Sequence, residues 1–278
     1  MTKAKVSSVL ATALLAVVGS LATQPASSDV TRLPFRSSFE TGSFSEWNGG
    51  LDSTMTVTST QATDGTRSAQ SVMIAGQNTD NYKEYVFGDH PRVGGTPVTT
   101  AQGVWLSFDS KFDSGFQFAS GANVHKIAIV NFEDENARRR YQLILNVYIP
   151  TQQYFVEHLV WNADRSFNRA MPGLFENVGT PVTVRFGQWD KIKMFIKPNT
   201  PGRADGVVRM WVNDVLKLEN TALNMRESTS YTPNKLIMSN YVNTSTAVGT
   251  QRWDNWYLGE TEPAGTVRPN APVLDSVQ

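Results

Sequence analysis

The chain has 278 residues, 25 basic and 25 acidic side chains, zero formal net charge and no cysteine. Balanced charge excludes the basic footprint that nucleic-acid binding requires. The missing cysteines exclude disulfide staples and a thiol nucleophile. After the N-terminus, no segment is long and apolar enough to cross a bilayer.

The chain opens with Lys3 and Lys5, an apolar run from Val9 to Val18 and small residues at Ala22–Ala26. This is the pattern of a secretory signal, so residues 1–28 are predicted to be a signal peptide and the mature protein to be extracellular or periplasmic. Residues 29–262 are predicted to form one domain, and 263–278 a Pro-rich tail or linker. Phe39–Trp47 (FETGSFSEW) reads as a strand running into a turn. Met55–Ser59 and Ser68–Ile74 are short strands around an Asp64-Gly65 turn. Asn78–Thr96 is polar and reads as a long loop. Gly103–Phe112 alternates, with Val104, Leu106 and Phe108 opposed to Trp105, Ser107 and Asp109.

Three strands in a row follow: His125–Phe132, Arg140–Ile149 and Tyr154–Trp161. On the middle one Arg140, Gln142, Asn146 and Tyr148 share a parity, broken only by Ile144. Tyr141, Leu143, Leu145, Val147 and Ile149 take the other. Tyr154 and His158 are expected to extend the polar row on the third strand. Asn162–Val178 is irregular, Val182–Phe186 and Gln188–Lys197 are strands, and Val207–Asn213 pairs with Val215–Glu219 through an Asn213-Asp214 turn. Leu236–Tyr241 and Arg252–Gly259 complete the set. No helical stripe is present, so the fold expected is an all-β sandwich or jelly roll.

FETGSFSEW at Phe39–Trp47, DGTRSAQSV at Asp64–Val72, WLSFDSKF at Trp105–Phe112, the Lys126 strand, Gly187–Asp214 and RWDNWYLG at Arg252–Gly259 occur in that order. Together they resemble the concanavalin-A-like jelly-roll superfamily and, within it, secreted polysaccharide lyases of the alginate and glucuronan lyase type. The resemblance implies a β-jelly-roll sandwich of two antiparallel sheets. It matches Lys126 to a lysine, Arg140 to a basic strand and Tyr154 to a tyrosine of such lyases. The sequence departs from their pattern at Ile127-Ala128-Ile129-Val130 and lacks a Tyr-x-Tyr pair, with Val156 in that place. The resemblance also implies a structural calcium ion, with Glu40 and Asp254 as side-chain ligands and backbone oxygens near Gly42, Asp64 and Arg67. A hard cation takes such oxygens.

A uronate lyase neutralises the sugar carboxylate, removes the C5 proton and protonates the leaving oxygen. Arg140, Gln142 and Asn146 are expected to meet the carboxylate. Lys126, Tyr148, Tyr154 and His158 are expected to serve as base and acid. Trp161 and Trp211 are candidates for stacking on sugar rings, and Arg209 shares the parity of Trp211. Glycoside hydrolysis needs two placed carboxylates. Glu133-Asp134-Glu135 are consecutive and read as loop, and Glu157 is a lone strand carboxylate. No G-x-S-x-G elbow or H-E-x-x-H spacing occurs. Three readings remain: a lyase acting on a uronic-acid-containing glycan, a non-catalytic carbohydrate-binding jelly roll, or a scaffold with no glycan site. The expected partner is a polysaccharide, a polyuronate under the first reading. Neither nucleic acid nor membrane is expected as a partner, and the chain is expected to act as a monomer.

Overall fold

Among the described residues, alternating side chains and frequent turn residues give sixteen strands and no helix. The computed structural model describes residues 33–264, apart from 52–53, 78–80, 100, 163–166, 171–175 and 243–246. The expected signal peptide and the tail from 265 onward lie outside the described residues.

In chain order the strands are β1 (Phe35–Ser37), β2 (Gly49–Leu51), β3 (Met55–Thr58), β4 (Ser68–Met73), β5 (Tyr82–Val86), β6 (Val104–Phe112), β7 (Val124–Glu133) and β8 (Arg139–Tyr148). There follow β9 (Gln153–Trp161), β10 (Phe167–Ala170), β11 (Glu176–Asn177), β12 (Trp189–Lys197), β13 (Gly206–Val212), β14 (Val215–Leu223), β15 (Thr232–Ser239) and β16 (Gly249–Gly259). They form two antiparallel sheets. One has the order β11-β14-β13-β12-β6-β16-β4-β3, with β1 paired to β16. The other has the order β10-β9-β8-β7-β15-β5-β2.

The two inner faces meet in one core. Phe108 stacks on Trp256 at 4.1 Å, Trp47 meets Trp256 edge-on at 5.3 Å, and Phe35 stacks on Tyr85 at 4.0 Å. Such aromatic contacts bury large apolar area between sheets. The Asn213-Asp214 hairpin is as read, with φ of 52° and 63° at its two residues, the geometry a two-residue turn between twisted strands needs. The segment 78–96 is not all loop: it holds β5, with Tyr82 and Glu84 on one face and Lys83 and Tyr85 on the other. Val182–Phe186 is reduced to a single bridge between Thr183 and Gln153.

Two irregularities in β7 and β8 decide what the β7–β8 sheet shows to solvent. Lys126 pairs with Asn146, but the next pair is Ala128 with Leu145, so Ile127 is an extra residue. Ile127 and Ala128 both pack into the core. Lys126 thereby shares the outer face with Ile129, Asn131 and Glu133. At the far end Phe132 pairs with Tyr141 and Glu133 with Arg139, which makes Arg140 the extra residue of β8.

Candidate active site

The outer face of β5, β15, β7 and β8 holds a depression of about 400 Å³. Its floor is Ile129, Asn131 and Gln142, its walls are Tyr82, Glu84, Lys235 and Arg139, and Lys126 and Tyr241 stand at one end. The Lys126 ammonium lies 4.6 Å from the centre of the Tyr241 ring, an attractive cation–aromatic contact. The Lys126 N–H donates to the Tyr241 carbonyl at 2.8 Å, so the two residues are tied through the backbone as well. At the other end the Arg139 guanidinium lies 4.5 Å over the Trp161 ring.

Below the rim the polar groups are interlocked. Gln142 Nε2 donates to Asn131 Oδ1 at 2.8 Å, and Asn131 Nδ2 donates to Glu133 Oε1 at 2.9 Å. Glu133 also takes Lys235 Nζ at 2.9 Å and His90 Nε2 at 3.0 Å. Burial pushes the Glu133 carboxyl up, but the His90, Lys235 and Asn131 donors prevail and hold it below the usual carboxylate range. Glu84 completes the wall: Arg92 is paired with it, and Lys235 Nζ lies 3.6 Å from its other oxygen. A Cβ on Gly49 would stand 2.5 Å from Glu84 Oε1, so glycine on β2 is what lets this carboxylate lie flat.

The structure brings together only part of the expected set. Lys126 and Gln142 line the depression. Asn146 is on the same outer face, opposite Lys126 in register and fully buried. Tyr148, at the end of β8, is 41% exposed and edge-on to Phe155, and does not line the depression.

Tyr154 and His158 are a correction. Their register partners are Val147 and Leu143, both core residues, so both side chains point inward. The Tyr154 hydroxyl donates to Asp190 of the opposite sheet at 2.9 Å, and burial and that carboxylate push its pKa well above the ordinary value. Such a phenol holds its proton and cannot act as a base. His158 Nδ1 lies 2.7 Å from the hydroxyl of Tyr141, another buried phenol whose pKa is pushed well up.

Arg140 is a second correction. As the extra residue of β8 it turns to the end of the sheet, 3.5 Å from Asp134 and over the Tyr231 ring at 5.3 Å, and Arg139 takes its place in the depression. Arg209 and Trp211 are a third. They lie on β13, on the outer face of the other sheet, where Trp211 meets Trp105 at 5.6 Å and Lys193 at 4.7 Å. Trp161 stays beside the groove, under Arg139.

Tyr241, Tyr82, Asn131, Lys235 and Arg139 were not singled out in the sequence, and Glu133, read there as loop, is the last residue of β7. One signal was available: Lys235, Ile237, Ser239 and Tyr241 share a parity against Leu236 and Met238. The larger depression, about 620 Å³, is lined by Phe116, Phe118, Phe186 and Ile149 among others. It contains no ionisable side chain and so offers no acid–base chemistry.

The two carboxylates expected to hold calcium grip one turn from two sides. Glu40 accepts from the Thr66 and Arg67 N–H groups at 2.9 and 2.7 Å and from the Thr66 hydroxyl at 2.8 Å. Asp254 accepts from the Thr63 N–H at 2.8 Å. Asp64 Oδ1 accepts from the Gly65 N–H at 2.8 Å, and a Cβ on Gly42 would stand 3.5 Å from the Arg67 guanidinium. Carboxylates on one turn are oxygen chemistry that fits a hard cation. Among the described residues, no three His, Cys, Asp or Glu side chains converge as a metal cluster.

Two antiparallel sheets packed face to face, without helix among the described residues, make the fold a jelly-roll sandwich. The polysaccharide lyase family model matches residues 39–253, so the chain belongs to the polysaccharide lyase family and has the function of a polysaccharide lyase. No protein of curated function matches it by sequence. Among solved structures it is similar to the endo-β-1,4-glucuronan lyase of the fungus Trichoderma reesei, at 15% identity and a TM-score of 0.55, covering 77% of this chain and 91% of that one. It is also similar to an alginate lyase from Chlorella virus, at 14% identity and a TM-score of 0.50, covering 77% and 93%. A third similar structure is an alginate lyase variant in complex with an alginate trisaccharide, at 13% identity and a TM-score of 0.52, covering 77% and 88%.

Proposed function

We propose that this lyase cleaves a uronic-acid-containing polysaccharide by β-elimination in the trough of the β7–β8–β15 sheet, with Lys126 and Tyr241 at the reacting centre. The observation that carries the reading is the Lys126 ammonium held over the Tyr241 ring, at one end of a floor of paired amides. The solved alginate and glucuronan lyases with this fold support the choice of an acidic glycan.

The ammonium of Lys126 meets the uronate carboxylate and draws electron density from C5. Tyr241 exchanges the proton: a phenolate takes the C5 hydrogen, and the phenol so formed gives a proton to O4. The C5–H and C4–O4 bonds break, the C4=C5 double bond forms, and the leaving chain departs with a hydroxyl. Arg139 over Trp161 supplies a second positive charge with a flat apolar face beneath it, suited to a neighbouring uronate ring. The test is incubation with alginate, glucuronan and other polyuronates while ultraviolet absorbance of the conjugated product is followed. Absorbance growth that vanishes in Lys126→Ala is expected. Binding of these glycans without any absorbance change would instead favour a carbohydrate-binding jelly roll.

We also propose that a calcium ion binds at the Glu40–Asp254 corner. Desolvation raises the Asp254 carboxyl above its usual range, and a cation would relieve that burial cost. The Lys3/Lys5 and Val9–Val18 pattern supports export of the chain.

A further inference from the structure

We infer that Glu133 is a positioning residue: it fixes which atoms of Asn131 and Gln142 meet the glycan, and thereby makes the floor a reader of sugar hydroxyls. The inference rests on the trough being the glycan site. The polarity follows from hydrogen-bond chemistry. The Arg92 N–H donates to His90 Nδ1 at 3.1 Å, so that nitrogen is an acceptor and the proton sits on Nε2. His90 therefore donates to Glu133, as do Lys235 and Asn131. An ionised carboxylate is acceptor-only, so Asn131 must present its NH₂ to Glu133 and its carbonyl to Gln142. Gln142 must then give its NH₂ to Asn131, and its own Oε1 is turned away as an acceptor.

Glu133 is itself held from behind. Asn234, the extra residue between Pro233 and Lys235 in β15, accepts from the Glu133 N–H at 3.0 Å and donates to its carbonyl at 2.8 Å. A second carboxylate acts in the same sense on Asn146. Its Nδ2 reaches Glu157 at 3.4 Å and the Ile144 carbonyl at 3.2 Å, and among the described residues its buried Oδ1 has no hydrogen-bond partner. Gln142, which lines the depression, is thus biased toward offering its carbonyl oxygen, and Asn146, fully buried, has the same polarity behind it. Carbonyl oxygens accept from hydroxyl groups and repel a carboxylate, so the uronate charge falls to Lys126 and Arg139 instead.

The test is steady-state kinetics on a polyuronate together with calorimetric binding of a reduced polyuronate oligosaccharide. Glu133→Gln places an N–H among donors and frees the Asn131–Gln142 pair to reverse. KM is expected to rise about tenfold with kcat changed less than about threefold, the signature of lost ground-state binding. The double variant N131D/E133Q exchanges amide and carboxylate. The amide at 133 can donate to the acid at 131, which still accepts from Gln142, so KM is expected to return to within about threefold of wild type. An unchanged KM in the single variant, or no recovery in the double one, overturns the inference. If Glu133→Gln does not fold, Asn131→Leu cuts the same link, and a KM unchanged there overturns it too. Wild-type protein that neither cleaves nor binds any polyuronate would bring down the trough reading itself, a result separate from either variant's behaviour.

Discussion

The Tyr154 hydroxyl donates to Asp190 across the interior, 2.9 Å away, and ties β9 of one sheet to β12 of the other. Asp190 also receives Arg185 Nε at 2.6 Å and Asn213 Nδ2 at 2.9 Å, so a carboxylate buried between sheets is fully served. Tyr154→Phe is expected to lower unfolding stability by about 1–3 kcal/mol, the usual loss for a hydrogen bond to a charged partner. Urea unfolding measures it. Turnover per folded molecule should be unchanged, because Tyr154 does not reach the trough.

Lys126→Ala and Tyr241→Phe should each cut kcat/KM on a polyuronate by about 10²–10⁴-fold, the range for a positioned charge or proton-transfer group. Both residues are at the rim of the trough, so stability should move by less than about 1 kcal/mol. Retention of full activity in either variant would remove that residue from the reacting centre. His158→Gln and Tyr148→Phe serve as controls. The first should cost stability, and the second neither stability nor most of the rate.

His125 gives the fold a pH dependence. It is fully buried among Phe112, Phe116 and Phe118, with Nε2 2.7 Å from Gln251 Oε1, and burial lowers its pKa to about 4. The folded state therefore refuses a proton that the unfolded chain accepts below its ordinary value near 6.5. Above that value the site contributes its full share. As pH falls toward 4 the unfolded state is favoured, by about 3 kcal/mol at most. Comparing wild type with His125→Gln by urea unfolding between pH 7.5 and 4 should show a shallower acid-side loss in the variant.

At the Glu40–Asp254 corner, chelation should lower Tm by a few degrees and added calcium restore it, if an ion is bound as proposed. Glu40→Gln should abolish the calcium effect. A melting curve indifferent to both chelator and calcium would reduce the corner to its hydrogen bonds. Gly65 is built for this corner: its φ is +65°, and a Cβ there would lie 2.6 Å from Glu40 Oε1, so Gly65→Ala should destabilise with or without the ion.

The sandwich was legible because strand alternation and turn chemistry agree over most of the chain, as at Val104–Phe112 and Asn213-Asp214. Gln142 was legible for the same reason, whereas Lys126 was reached through the family resemblance, since alternation alone would not put it on the face of Asn131 and Glu133. Tyr154 and His158 were misplaced because polarity was taken as a sign of the outer face. A buried phenol or imidazole is equally at home inside once a partner such as Asp190 or Tyr141 is there, and that partner is remote in sequence. Arg140 was misread because nothing local announces that it is an extra residue in β8. The segment around β5 read as loop because Tyr82, Lys83 and Glu84 are polar. Lys83 packs over the Phe44 ring, a contact that only the fold creates.

Ile127 places an ammonium on the same side as residues whose numbering says otherwise: Lys126 is even, while Asn131 and Glu133 are odd. Were Ile127 drawn into the regular ladder instead of bulging, strict two-residue phasing would turn it to the outer face and swing Lys126 into the hydrocarbon interior. Every chemical group of the trough would still be encoded, yet a frame slip of one residue would be enough to silence it.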